Sequence, residues 1–308
     1  MIARHTFIGT FKIIVIYFAF YYGKAQHYAG LSVDNDVYFG IDRYYSSGIF
    51  VKYGGVIKKE EDPLEKNPKI RSLHWVLGQE INTPSLHHTE DIAKMDSPYN
   101  GWLFLERKSE VFYHPDFGYG WGVQLGTTGA EASLAKWMQN TYHISILNLE
   151  PLSWSWALPQ TFHLNARLNL RWGKQIQGPL KWVQEHDLQA GTFRTQLSTR
   201  TGMQLGSLPG VPFFGERLEA IGEGMAFFIG TKFIFNLHDY SLSGSIIRNK
   251  NPFVLEANPL RQEYQAGLTF MKSFWKAHFM FHSSSNYIRS QRYSNHPYLN
   301  LTIIRILS

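Results

Sequence analysis

Phe162-His-Leu-Asn-Ala-Arg-Leu-Asn-Leu-Arg-Trp-Gly173 reads with a period of two. Phe162, Leu164, Ala166, Leu168, Leu170 and Trp172 take the even positions; His163, Asn165, Arg167, Asn169, Arg171 and Gly173 take the odd ones. Successive side chains of a strand point to opposite faces, so this stretch predicts a strand with one apolar and one polar, partly cationic face. The alternation recurs in Phe117-Gly-Tyr-Gly-Trp-Gly-Val-Gln-Leu-Gly-Thr127 and over 193–205, and less cleanly over 225–237, 262–271 and 274–285. Fourteen segments fit by pattern: 29–36, 46–57, 72–82, 101–113, 117–127, 152–158, 162–173, 182–190, 193–205, 224–237, 240–247, 262–271, 274–285 and 297–307. Three of these (152–158, 182–190 and 240–247) are short, and a count of twelve fits as well.

Two-faced strands build either a soluble sandwich or a membrane barrel, and three features choose the barrel. Residues 1–25 read as a secretory signal: Arg4, His5 and Lys12 form a basic end, Ile13 to Gly23 an apolar stretch, and Gly23-Lys24-Ala25 a small-residue cleavage site. Eleven apolar residues are too few for a spanning helix. The strands are about ten residues long, as an oblique crossing requires. Short turns (Pro159-Gln160-Thr161, Lys272-Ser273) alternate with long polar loops. The expectation is an all-β, transmembrane antiparallel barrel over 26–308, of 12 strands with 14 permitted, closed because a membrane leaves no backbone group unpaired.

Composition agrees. Of 308 residues, 16% are aromatic and 18% charged, which excludes a disordered chain. The absence of cysteine excludes disulfide-stapled modules and Cys-ligated metals. Loss of the signal removes three cations and no acid, taking the formal net charge from +6 to +3, too mild to suggest nucleic acid.

With both termini on the periplasmic side, 37–45, 83–98 and 128–149 become outer loops. Three polar clusters then meet at one rim: Asn35-Asp36, Asp42 to Ser47, and 128–150. Within the last, Leu134, Trp137 and Met138 fall at i, i+3, i+4, predicting a short amphipathic helix over the barrel mouth. Gln139, Asn140 and His143 share one of its faces. His143 is the candidate general base, since a neutral imidazole takes a proton from water near physiological pH. Asp36, Asn35 and Glu150 offer oxygen ligands for Ca²⁺, with Ser46 nearby, and a cation there could polarise an ester carbonyl. Asn35 and Ser46 would orient water, carbonyl or metal.

Two other readings stay open. Arg167, Arg171, Arg194 and Arg200 face the lumen and could line an anion path in a porin-like channel. His282 and Ser284 share a strand face, as a Ser–His pair needs. Barrel-type outer-membrane phospholipases use a His-x-Ser arrangement of this kind. Here, however, the apolar set Trp275, Ala277, Phe279 and Phe281 is odd, which turns His282 and Ser284 to the lumen rather than to lipid. His87-His88 beside Glu90 and Asp91 reads as a solvated loop.

Several segments together resemble the lipid A 3′-O-deacylases of Gram-negative outer membranes. They are Asn35-Asp36, Asp42-Arg-Tyr-Tyr-Ser-Ser-Gly48, Leu77-Gly-Gln-Glu-Ile-Asn-Thr-Pro-Ser85, Asp96-Ser-Pro-Tyr-Asn-Gly-Trp102, Gln139-Asn140-x-x-His143 and Gly191-Thr-Phe-Arg-Thr195 running to Gly202. The resemblance implies a twelve-stranded barrel that removes an ester-linked acyloxyacyl chain from the 3′ position of lipid A, the lipid part of lipopolysaccharide; a monomer is the expected state. It implies calcium, water activated by a histidine, and a site at the outer rim under a loop helix. Carried over by motif, these residues are His143, Asn35 and Asp36, with Ser46 as the hydroxyl. Two positions depart from the pattern. A loop lysine after Thr83-Pro84-Ser85 has no clear counterpart, since Leu86-His-His-Thr-Glu90 stands there. A glutamate matches Glu150 only with a one-residue slip.

Overall fold

Period-two alternation becomes pleated strand along most of the chain. In a computed structural model, which describes residues 26–60, 68–215, 223–245 and 255–307, twelve strands close into one antiparallel barrel. They are β1 (His27–Asn35), β2 (Tyr44–Glu60), β3 (Lys69–Thr83), β4 (Asn100–His114), β5 (Phe117–Thr128), β6 (Phe162–Gln177), β7 (Leu180–Gly191), β8 (Arg194–Gly206), β9 (Gly224–Asp239), β10 (Leu260–Lys272), β11 (Trp275–Ser285) and β12 (Asn295–Leu307). Each pairs with its sequence neighbour, and β1 pairs with β12 from His27↔Leu307 to Asn35↔Leu299, so no edge is left open. The signal read over 1–25 lies outside the described residues.

The faces divide as the alternation requires. On β6 Phe162, Leu164, Leu168 and Leu170 are exposed on the outer wall, while Asn165, Asn169 and Arg171 are buried inside. A membrane barrel inverts the soluble pattern in this way because its outer solvent is hydrocarbon.

Two of the fourteen patterned segments are not strands. Leu152, Trp154 and Leu158 alternate like a strand but lie in the outer loop 129–161, where Leu152 and Trp154 join a loop core with Ile81, Met95, Tyr99 and Ala135. Segment 240–247 opens with a helical turn, Tyr240–Ser243, capped by Asp239. Periodicity there reports burial in a loop cluster rather than a pleat. The short segment 182–190 is a strand, the core of β7.

Both ends of the lumen are filled. At the outer end Trp102, Phe104, Leu158, Phe193 and Tyr240 cluster, with Trp102 stacked on Phe193 at 4.2 Å. At the inner end the β8–β9 connection folds inward, and Val211, Phe213 and Phe214 pack against Phe228, Met271, Met280 and Ile306. Arg200, Lys276 and Lys181 donate to the carbonyls of Phe213, Pro212 and Gly210 and hold it there. Between the ends lies a cavity of about 510 Å³ lined by charged side chains.

Candidate active site

The rim where β1 turns into β2 is shaped by short-range hydrogen bonds. Asn35 Oδ1 accepts from Val37 N at 2.7 Å, starting a 3₁₀ turn over Val37–Phe39 that ends at Gly40, whose φ of 66° suits glycine. Asp36 N donates to Ser46 O at 3.2 Å, and Arg43 N donates to Asp36 Oδ2 at 3.0 Å. The loop is thereby folded back on the start of β2. There β2 carries a bulge: Tyr45 pairs with Asn82 and Ser47 with Ile81, leaving Ser46 as the extra residue. Its hydroxyl lies 3.0 Å from that of Thr83.

Opposite stands α1 (Ala135–Tyr142), which continues as a π-helical turn, His143–Leu147. Such turns are frequent at functional sites. The helix is where the sequence predicts one, and the face it turns inward is the one that carries Gln139 and His143. Ala135, Gln139 and His143 are buried at i, i+4, i+8, while Leu134 and Trp137 are exposed and Met138 is partly buried. Gly101 of β4 explains the choice: a Cβ there would overlap Ser133 and Ala135, so the helix approaches backbone to backbone and only a small side chain fits. Asn140 serves the scaffold, its amide donating to Leu152 O at 3.0 Å and accepting from Leu152 N at 2.8 Å.

These elements meet at Asp42. His143 Nε2 lies 2.8 Å from Asp42 Oδ2. Gln139 Nε2 donates to Asp42 Oδ1 at 3.1 Å and to Thr83 Oγ1 at 2.9 Å, and Trp154 Nε1 fixes the amide by donating to Gln139 Oε1 at 3.0 Å. His87 Nδ1 donates to the Asp42 carbonyl at 3.1 Å, and Tyr99 donates to the His87 carbonyl. Of the residues singled out by sequence, His143, Asp36 and Ser46 thus gather round the 36–46 loop, and Asn35 shapes its entrance. Glu150 is exposed and its side chain makes no contact in this group; the backbone of Glu150 is what faces His143. Asp42 as the histidine's partner, together with Thr83 and Trp154, escaped the sequence reading. Loop residues carry no period, and the one available signal was the Ala135, Gln139, His143 spacing.

Strand parity places this group on the outside of the barrel. Asn35 alternates with Leu31 and Val33, Ile81 with Trp75 and Leu77, and Gly101 with Leu103 and Leu105; Leu31, Trp75, Leu77 and Leu105 are all exposed on the outer wall. The site therefore sits on the outer flank of β1–β4, above the lipid-facing belt, with α1 leaning on the rim.

The charges fit this place. Burial pushes the Asp36 carboxyl up to about 9, nearby Asp42 adds to the rise, and the Arg43 N–H offsets it only in part. The bond to Asp42 raises the His143 imidazole above its ordinary range against burial, and the Glu150 backbone acts in the same direction. Burial lowers His87, keeping it neutral. Asp36 forms no ion pair among the described residues, so this buried acid beside Asp42 lacks a cation of its own. That is what an oxygen-ligated divalent ion would supply, and Asp36 with Asp42 fit calcium as its protein carboxylates. No group of three or more acidic or imidazole side chains forms a full cage among the described residues, so carbonyls, water or substrate would complete the shell.

The rival residues are occupied elsewhere. His282 Nδ1 is 2.7 Å from Glu263 inside the lumen, its ring stacked on Tyr298, and Ser284 donates to its own strand's backbone. The lumen arginines are paired: Arg167 with Asp187 and Glu106, Arg171 with Glu110, Arg194 with Asp239 and Glu80, Arg200 with Glu185.

LpxR from Salmonella typhimurium has the same fold, with a TM-score of 0.72 at 17% identity over 90% of this chain and 99% of that one. The β domain of the Bordetella autotransporter BrkA aligns at 0.49 and 8% identity, over 92% and 99%. The translocator domain of the autotransporter NalP from Neisseria meningitidis aligns at 0.41 and 9%, over 98% and 96%. A search of curated protein sequences found no match. The family model of outer membrane protein LpxR matches residues 9–304. Barrel strands and rim loops alike fall within that match, and the chain belongs to the LpxR family of outer membrane proteins.

Proposed function

We propose that the protein is an outer-membrane esterase that hydrolyses the 3′-O-linked acyloxyacyl chain of lipid A. One observation carries the reading: the His143–Asp42 pair lies on the outer flank of the barrel, directly above its lipid-facing belt. A base in that position meets esters of the surrounding leaflet from the side and has no access to solutes in the lumen. The lipid A 3′ position comes from the resemblance of the rim motifs.

In this reading neutral His143 donates its Nε2–H to Asp42 and takes a proton from water at Nδ1, and the water oxygen attacks the ester carbonyl. Asp42 then stabilises the imidazolium, while Gln139 and Trp154 keep the carboxylate aligned. The tetrahedral intermediate collapses with cleavage of the ester C–O bond, and His143 returns the proton to the 3′ oxygen. The Ser46 hydroxyl, shared with Thr83, is placed to orient water or carbonyl. Calcium, held by Asp36 and Asp42, would supply positive charge for the developing oxyanion.

The test is His143→Ala. Lipid A from cells carrying the variant should keep its 3′ acyloxyacyl chain by mass spectrometry, with a rate loss of roughly 10²–10⁴-fold and a barrel that still migrates as folded. Release of the chain by this variant would remove His143 from the mechanism.

A further inference from the structure

The inverted face of α1 calls for a partner. Leu134, Trp137 and Met138 form the apolar stripe of this helix, yet the buried stripe is Ala135, Gln139 and His143. Trp137 is 64% exposed, Leu134 and Ile144 are exposed, and Ile146 in the turn that follows is 68% exposed. A helix that keeps its polar stripe inward and its apolar stripe outward suits an outside that is not water.

Its height is the second observation. α1 rests on Gly101, on the outer face of β4, two residues above Leu103 and four above Leu105. Four residues along a strand tilted by about 40° rise by roughly 10 Å. Leu103 pairs with Thr127, and Thr127 with Phe162, whose ring is exposed on the outer wall. The contact at Gly101 thus lies about 5 Å above Leu103 along β4 and roughly 10 Å above the exposed Leu105, at the upper edge of the belt, where the interfacial zone is roughly 5–8 Å deep. On the other side of the site Phe39 lies edge-on against the lipid-facing Phe281 at 5.7 Å. Exposed apolar side chains therefore stand above the belt on both flanks of the His143–Asp42 pair.

We propose that α1 and the turn after it are seated in the interface of the outer leaflet. Leu134, Trp137, Ile144 and Ile146 lie among the upper acyl carbons of the lipids, and this seat holds His143 level with their esters. The seat follows from the barrel's place in the membrane; its effect on catalysis rests on the deacylase reading.

The chain has no cysteine, so single-cysteine labels report cleanly. Trp137→Cys and Ile146→Cys, labelled with bimane and reconstituted into phosphatidylcholine–phosphatidylglycerol vesicles, should be quenched several-fold more by a lipid nitroxide near the top of the acyl chain than by aqueous iodide. Val51→Cys, on the lipid-facing belt, gives the reference for full lipid contact. Strong iodide quenching with no nitroxide effect at both sites would overturn the seat. The double variant Trp137→Glu, Ile146→Glu should lose at least tenfold in activity on lipid A in vesicles and keep activity on lipid A in detergent micelles. Equal loss in both would show that the seat does not place the site. Should the unaltered protein deacylate lipid A in neither form, the esterase reading fails while the quenching still decides the seat.

Discussion

Asp42 and His143 are 101 positions apart in sequence and 2.8 Å apart in space, and each alters what the other can do. A general base works when neutral. Because Asp42 holds the His143 value above the ordinary 6.5, activity should rise with pH through that raised value and fade as pH falls below it. Asp42→Asn removes the largest cause of the rise. The acid limb of the pH–rate profile should move to lower pH, alongside a lower maximal rate. A limb that stays put would assign it to another group. Asp36 belongs to the same corner, a buried acid lacking an ion-pair partner among the described residues. Chelation with EGTA should abolish activity and added Ca²⁺ restore it, read by release of fatty acid; indifference to the chelator would take the metal out of the reaction. Sequence pointed to His143, Asp36 and Ser46 but paired them incompletely. What joins them is the fold of 36–43, set by backbone bonds such as Arg43 N to Asp36, and side-chain types do not announce those.

Among the elements, the strands were legible because a two-sided solvent problem writes itself as period two. Residues 162–173 and 117–127 map onto β6 and β5 with little change. Segment 152–158 misled because Trp154 and Leu158 alternate for another reason, filling the loop core and the outer mouth. The helix was legible in place, but its pattern alone did not say which stripe turns inward: at this rim the apolar stripe faces away from the barrel. Its seat on β4 depends on a missing side chain. Gly101→Leu should drive Ser133 and Ala135 off the wall, at a cost of about 1–3 kcal/mol, and carry His143 away from Asp42. Activity should fall at least tenfold while heat-modifiable mobility on gels still reports a closed barrel. A variant as active as the parent would mean that α1 is not held by this contact.

At the scale of the molecule, the barrel is a filled post. Its arginines are neutralised in pairs, and aromatic and aliphatic side chains occupy both ends of the lumen. Planar bilayers containing the protein should therefore show no steady conductance, and open-pore currents of porin size would contradict the packing of Phe213 and Phe214. With the chemistry on the lateral wall, the perimeter itself becomes a resource. Four of twelve strands, β1 to β4, form the flank that carries the pair. A neighbouring protein leaning on that third of the circumference would block the approach of lipid, so a working copy has to leave it bare, and tight association through those strands would silence the enzyme without altering a single residue of it.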